Sequence, residues 1–207
     1  MPILLTLFSL AIFIYSVVIH EVSHGLAADA MGDNTARVMG RLSLNPLKHL
    51  DLFGSVILPL MLYIFSGGGL VFGYAKPVPY NPLNLNDQRF GPIKVALAGP
   101  GANILVALIF GLTLRFFSGL FASLIIPQLF ATIVFINLIL AIFNLFPIPP
   151  LDGHWVLVTL LPHRYHVFRT ALYRYSIFLF IFFIIFIYPL IFPIIPWLFH
   201  LITGLTF

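Results

Sequence analysis

No cysteine occurs in the 207-residue chain. Disulfides and every thiolate metal site are therefore excluded, and any bound metal must be held by nitrogen and oxygen. Charge is also scarce. Asp, Glu, Lys and Arg make up 8% of residues, against roughly 25% in soluble domains. With 61% of residues hydrophobic and a mean hydropathy of +1.10, the chain reads as an integral membrane protein. The basic residues form no dense stripe, so a net charge of +4 does not point to nucleic acid. Glutamate occurs only as Glu21, and aspartate only as Asp29, Asp33, Asp51, Asp87 and Asp152.

What the chain does have is long apolar runs. Windows of spanning length lie at about 3–28, 92–117 and 123–146, and the tail from Ile177 to Phe199 is continuously apolar. The first run has no basic flank, exceeds a signal-peptide core and leads straight into His20-Glu21, so it reads as a retained span. Tyr188-Pro189, Pro193 and Pro196 interrupt the tail. Two short helices with a turn, or one span and an interfacial segment, both fit. Leu52–Phe65 is marginal in length and is followed by Ser66-Gly67-Gly68-Gly69 and a short apolar piece, Leu70–Tyr74. That pattern fits a short span or a re-entrant hairpin.

The cations sort by loop. Arg37, Arg41, Lys48, Lys76, Arg89 and Lys94 lie between the first span and the second, and Arg164, Arg169 and Arg174 follow Asp152. Only Arg115 is near the opposite loop at Ser118–Gly119. The positive-inside rule puts 29–91 and 162–175 in the cytoplasm and the N-terminus outside. The segment 52–74 must then return to the side it left, which favours the re-entrant reading. Thr35–Pro46 is more polar and partly alternating, which predicts a short surface hairpin with Gly40 near its turn. Asn45-Pro46 and Asn81-Pro82 read as turns.

Within this apolar chain stands His20-Glu21-Val22-Ser23-His24. Two histidines four residues apart on a helix lie about 40° apart around its axis, so both can bind one ion. The Glu between them can act as general base, the pattern of zinc metalloproteases. Three ionisable residues ending a lipid-length helix are expensive and need a functional reason. A catalytic zinc takes three protein ligands and a water, so a third ligand is required. Four of the aspartates lie in polar loops. Asp152 follows Asn144-Leu145-Phe146-Pro147-Ile148-Pro149-Pro150-Leu151, where prolines break a helix at membrane depth. Irregular backbone is tolerated there when it lines a polar cavity or is covered by protein. His20, His24 and Asp152 are the expected ligands of one zinc ion per chain. Glu21 is the expected general base toward a water activated by the metal. Peptide hydrolysis also generates an oxyanion, and the Asn144 amide is placed to donate to it.

Together, His20–His24, Asn144–Gly153 and Gly99-Pro100-Gly101-Ala102-Asn103 resemble the site-2 protease family of intramembrane zinc metalloproteases, peptidase family M50. Gly40–Pro46 and Gly73–Pro82 resemble its small branch, without a PDZ domain. The likeness covers about residues 15–160. It implies zinc ligands at His20, His24 and Asp152, the catalytic glutamate at Glu21 and a transition-state role for Asn144. It further implies membrane-embedded helices of partner proteins as substrates.

The expected architecture is all-α, a polytopic transmembrane helical bundle forming one domain over 1–207. Its three-helix catalytic core is about 3–30, 92–117 and 123–160, with a helical tail at about 172–203 and a possible re-entrant hairpin. The site is expected within the cell membrane toward the cytoplasmic side, because His20 lies nearer that end of its helix. A metal carrier or inactive scaffold with the same ligands is the competing reading. The intact Glu21 speaks against it, since a carrier needs no general base. Asn103 reads equally as a site residue or a helix-packing residue. His154, if helical, points away from Asp152; His163 and His166 read as interfacial, and His49 and His200 carry no legible chemistry.

Overall fold

A computed structural model of the chain describes all residues except 1, 66, 68–72, 74, 118, 120, 122–124, 206 and 207, and excepts the side chains of 2, 56, 59, 62 and 163. Among the described residues there is no strand. Among the described residues three single helices are long and apolar enough to cross a membrane: α1 (Pro2–Ala30), α4 (Gly91–Phe117) and α5 (Ile125–Asn144); a bent pair over 166–191 would add a fourth if it counts as one span. Between α1 and α4 lie the short α2 (Thr35–Val38) and α3 (Leu58–Phe65). After α5 come α6 (Gly153–Leu160), α7 (His166–Arg174), α8 (Ser176–Phe182), α9 (Tyr188–Ile191) and α10 (Ile194–Thr203).

The three long helices pack on one another. Because lipid is as apolar as their own side chains, close contact depends on small residues and buried polar groups rather than on hydrophobicity. Ala107, Val134 and Leu138 form the centre of the α4–α5 seam, and Ser16, Asn103 and Asn137 supply buried polar groups. Leu7, Leu10, Leu105, Ile109 and Ile126 face outward and remain exposed, as lipid-facing residues do. Pro100 sits inside α4 without ending it.

α1 ends where Gly32 takes φ +101° and the amides of Met31 and Asp33 both return to the Ala28 carbonyl, each at 3.0 Å. Only glycine adopts that backbone conformation without strain. Beyond it, Asp33 is buried and gathers donors from Thr35, from the Asn81 amide (2.6 Å) and from Asn84 Nδ2 (3.0 Å). This knot draws 81–84 against the end of α1.

The hairpin expected at Thr35–Pro46 is corrected. The chain does reverse, with Gly40 at φ +64°, but no β-ladder forms. Side chains close the loop instead: Lys48 Nζ donates to the Gly40 carbonyl and Arg41 to the carbonyls of Lys48 and Lys76. Asn45 and Asn81 cap single 3₁₀ turns, Pro46–Lys48 and Pro82–Asn84, in agreement with the turns expected there. The described part of the candidate re-entrant segment is helical from Leu52 to Phe65. At 1.5 Å per residue it reaches about 20 Å, short of a ~30 Å hydrocarbon core. Most of 66–74, on which the re-entrant reading turns, lies outside the described residues.

Of the tail's prolines only Pro193 stands at a break, between α9 and α10; Pro189 and Pro196 lie within those helices. The sharpest bend, 71° between α7 and the apolar stretch Ser176–Ile191, falls at Tyr175, with no proline beside it. The tail is more than lipid-facing surface, however. Ile195, Phe199 and Ile202 of α10 are buried against Ala107, Val134 and Leu138, and a Cβ on Gly111 of α4 would collide with Ile202.

Candidate metal centre

α1 carries His20, Glu21 and His24 on its last three turns. Asp152 arrives from the break after α5. There the chain turns through Pro147, Pro149 and Pro150, with the amides of Ile148 and Leu151 returning to Phe146 (2.9 Å) and Ile148 (2.9 Å). The turn is so tight that a Cβ on Gly153 would strike the backbone of Leu145 and Phe146. Asp152 occupies the N-cap position of α6, yet its side chain makes no capping bond. The carboxylate is turned instead onto the α1 histidines.

Three candidate ligand atoms converge. Asp152 Oδ2 lies 3.0 Å from His20 Nε2 and 3.3 Å from His24 Nε2, and the two Nε2 atoms are 3.1 Å apart. The other ring nitrogens fix the tautomers. His24 Nδ1 lies 2.7 Å from the Val95 carbonyl, which can only accept, so Nδ1 carries the proton. His20 Nδ1 lies 2.6 Å from Asn103 Oδ1, again an acceptor. In the neutral rings both Nε2 atoms therefore present lone pairs to each other and to a carboxylate oxygen. Three acceptors at this separation repel unless a cation sits among them. Zinc bonds of about 2.0–2.1 Å place tetrahedral donor atoms roughly 3.3 Å apart, so this nitrogen–oxygen set fits zinc.

Room for the imidazoles comes from α4. A Cβ on Gly99 would overlap His24 Nε2 and Cε1 and His20 Cε1. One turn further on, Asn103 meets His20. Gly99-Pro100-Gly101-Ala102-Asn103 is thus both a close helix crossing and a part of the site.

Glu21 is half-buried beside the ligands. Its Oε2 accepts the Val78 amide at 3.0 Å, and among the described residues Oε1 has no hydrogen bond. Val78 lies between Pro77 and Pro79, which have no N–H, so the segment has one amide to give here and gives it to Glu21. Asn144, the last residue of α5, donates one N–H to the Leu140 carbonyl at 2.9 Å, and among the described residues its second N–H has no partner. His154 is buried with Nδ1 on the Leu151 carbonyl at 2.7 Å and its ring against Trp155 and Tyr173. It lies outside the ligand group. His49, unremarkable as sequence, is buried with Nε2 on the Ser43 carbonyl (2.7 Å), and its own carbonyl accepts the Lys76 amide (2.8 Å).

Residues not singled out in the sequence complete the surroundings. Tyr80 packs on Ala28, Leu85 and Val95 and meets Trp155 edge-on. Burial first, and then the nearby Asp152 charge, push its phenol up to about 12, which keeps it protonated. Asn137 and Ser16 stand behind Asn103. A polar residue in the middle of an apolar run was the available signal for both.

The model of peptidase family M50 matches residues 8–126 and 119–187. A protein named as a candidate zinc metalloprotease, YwhC of Bacillus subtilis (strain 168), is 35% identical over 183 residues, covering 86% of this chain and 78% of YwhC. Similarly named are the Rip2 proteins of Mycolicibacterium smegmatis (32% over 146 residues, 70% of this chain and 54% of that protein) and Mycobacterium tuberculosis H37Rv (31% over 195 residues, 91% and 71%). No solved structure gives a significant match. The family match spans the histidine helix, the Gly99–Asn103 crossing and the Asp152 turn alike, and the chain belongs to peptidase family M50, the site-2 protease family, as a zinc metallopeptidase.

Proposed function

We propose that the chain hydrolyses peptide bonds of membrane-embedded protein segments, with His20, His24 and Asp152 as zinc ligands and Glu21 as general base. The observation that carries this reading is the convergence of three lone-pair donors beside an unligated carboxylate at the end of a 29-residue apolar helix. When bound, zinc supplies Lewis acidity, lowering the pKa of water toward about 7 and polarising a carbonyl.

The remaining steps belong to the chain. Val78 N–H holds Glu21 Oε2, which leaves Oε1 to take a proton from the attacking water. As the C–N bond breaks, Glu21 returns that proton to the departing amine nitrogen, so the carboxylate is regenerated. The second Asn144 N–H is the proposed donor to the oxyanion that forms on the scissile carbonyl. Asn103 and the Val95 carbonyl keep both imidazoles turned toward the ion. A metal carrier would need these ligands but not a carboxylate oriented by a dedicated amide.

The test is Glu21→Gln, which keeps the shape and removes the base. Zinc stoichiometry is expected to stay at one per chain while cleavage falls by about 10²–10⁴-fold. The same variant, expressed in native membranes, serves as a trap for single-span proteins, and the wild type is then assayed on what is trapped. Undiminished cleavage by the Gln variant overturns the mechanism. A cut mapped by mass spectrometry outside the apolar segment overturns intramembrane action. Full zinc retention by Asp152→Ala would show that the third ligand is elsewhere.

A further inference from the structure

Behind the ligands, three buried polar residues from three helices form a continuous network. Ser16, Asn103 and Asn137 are all buried, the two asparagines completely. Asn137 Nδ2 donates to the Ile133 carbonyl (2.9 Å) and to Ser16 Oγ (2.9 Å). Its Oδ1 accepts from Asn103 Nδ2 at 2.8 Å, and Asn103 Nδ2 also reaches the Ser16 carbonyl at 3.3 Å. Asn103 Oδ1 is what remains, and it faces His20 Nδ1 at 2.6 Å.

The direction of this network is forced. The carbonyls of Ile133 and Ser16 can only accept, so the NH₂ group of each asparagine must face its carbonyl. Turning Asn103 over would set its oxygen against the Ser16 carbonyl and against Asn137 Oδ1. Turning Asn137 to relieve that would set its oxygen against the Ile133 carbonyl. Both amides are fully buried, and there an unpaired polar group is costly.

We propose that Asn137 and Ser16, acting through Asn103, set which nitrogen of His20 carries its proton and so hold Nε2 ready for the metal. All three are positioning residues, and the assignment rests on the zinc-site reading above. The partner on the far nitrogen of a ligating histidine fixes its tautomer and orientation, and losing such a partner typically weakens metal binding by about 10–100-fold. Here the control reaches back one residue further, to a side chain that does not touch the ligand.

The experiment measures zinc affinity of the purified full chain in detergent by competition with a chromophoric chelator. It also records the visible spectrum of the Co²⁺-loaded protein and the melting of the metal-free protein. Asn103→Leu is expected to weaken zinc binding by about 10–100-fold, and Asn137→Leu to weaken it in the same direction by a smaller factor. Asn103→Asp keeps an acceptor on His20 Nδ1 but sets an oxygen against Asn137 Oδ1 and the Ser16 carbonyl, so it is expected to bind zinc more tightly than Asn103→Leu and to preserve the Co²⁺ spectrum, although its metal-free form melts below the parent. A purely packing role predicts the reverse pattern: Asn103→Asp as impaired as Asn103→Leu, in step with metal-free melting. That pattern, or parental affinity in both Leu variants, overturns the proposal. His20→Ala separates the two levels. If it loses zinc while the Leu variants do not, the network proposal fails alone; if it retains zinc, the ligand set fails too.

Discussion

At Gly99 a hydrogen stands where any other residue would place a carbon, and that carbon would overlap the imidazoles of His20 and His24. Gly99→Ala should therefore lower zinc affinity without the gain in stability that alanine ordinarily brings. Alanine favours an interior helical position over glycine by about 1 kcal/mol, but the overlap with two buried, hydrogen-bonded rings opposes it, so melting of the metal-free protein should not rise. Zinc affinity should fall on the order of 10–100-fold, the range seen when groups around ligands are disturbed. Parental zinc affinity in this variant would mean that the rings have more freedom than the contact allows. The same position shows what was legible in the sequence. His20, Glu21 and His24 are visible because a helix brings i, i+1 and i+4 to one side by local geometry alone. Asp152 is visible because aspartates are so few and its neighbours are prolines. Asn103, Asn137, Ser16 and Val95 could not be read in the same way. Their roles arise from contacts between helices far apart in sequence, and each alone resembles an isolated polar or packing residue.

At the level of elements, the segment from Lys76 to Asn84 matters most, because it delivers Val78 to Glu21 while having no regular structure up to Asn81. What holds it is the Asp33 knot at the end of α1. Burial opposes the Asp33 charge, but the donors from Thr35, Asn81 and Asn84 together outweigh it and hold the carboxyl below its usual range. A lowered carboxylate pKa stabilises the fold above the unfolded value of about 3.9 and loses that contribution as pH falls through the folded value. Asp33→Asn places an N–H among donors and should cost about 1–3 kcal/mol at pH 7. The melting difference between parent and variant should shrink when both are measured below the folded pKa; a difference independent of pH would remove charge from the explanation. The long helices α1, α4 and α5 were legible to within a few residues because lipid imposes length and composition on a span. Their packing was not, and neither was the burial of α10. An apolar sequence reads the same whether it faces lipid or protein, and only Gly111 beside Ile202 decides the case. The polar loop at Thr35–Pro46 misled for a related reason, since short alternation mimics a strand when side chains rather than a ladder close the turn.

At the scale of the whole molecule the two ends of the helix bundle differ in charge, and the candidate centre lies toward one of them. A largely apolar hollow lined by Leu4, Leu5, Phe8, Ile125, Gln128 and Leu129 places the N-terminal ends of α1 and α5 together. Arg115, near the end of α4, reaches the Leu201 carbonyl of α10 at that same end. The site is then at the opposite end, with the C-terminal turns of α1 and α5 and the first turns of α4. Nine of the ten basic residues lie in segments attached to the site's end, from Arg37 to Lys94 and from Arg164 to Arg174, and Arg115 alone marks the other. Such a bias orients spans with the basic end in the cytoplasm. Because the chain has no cysteine, single cysteines report position without a background. Leu83→Cys and Val167→Cys sit on exposed residues at the site's end, and Gly119→Cys on the opposite loop; none of the three alters a charge. In intact cells a membrane-impermeant maleimide should label the Gly119 variant alone, and after permeabilisation all three. Labelling of the Leu83 and Val167 variants in intact cells, with Gly119 protected, would invert the orientation. The zinc centre would then open to the outer face, and its substrates would be cut from that side.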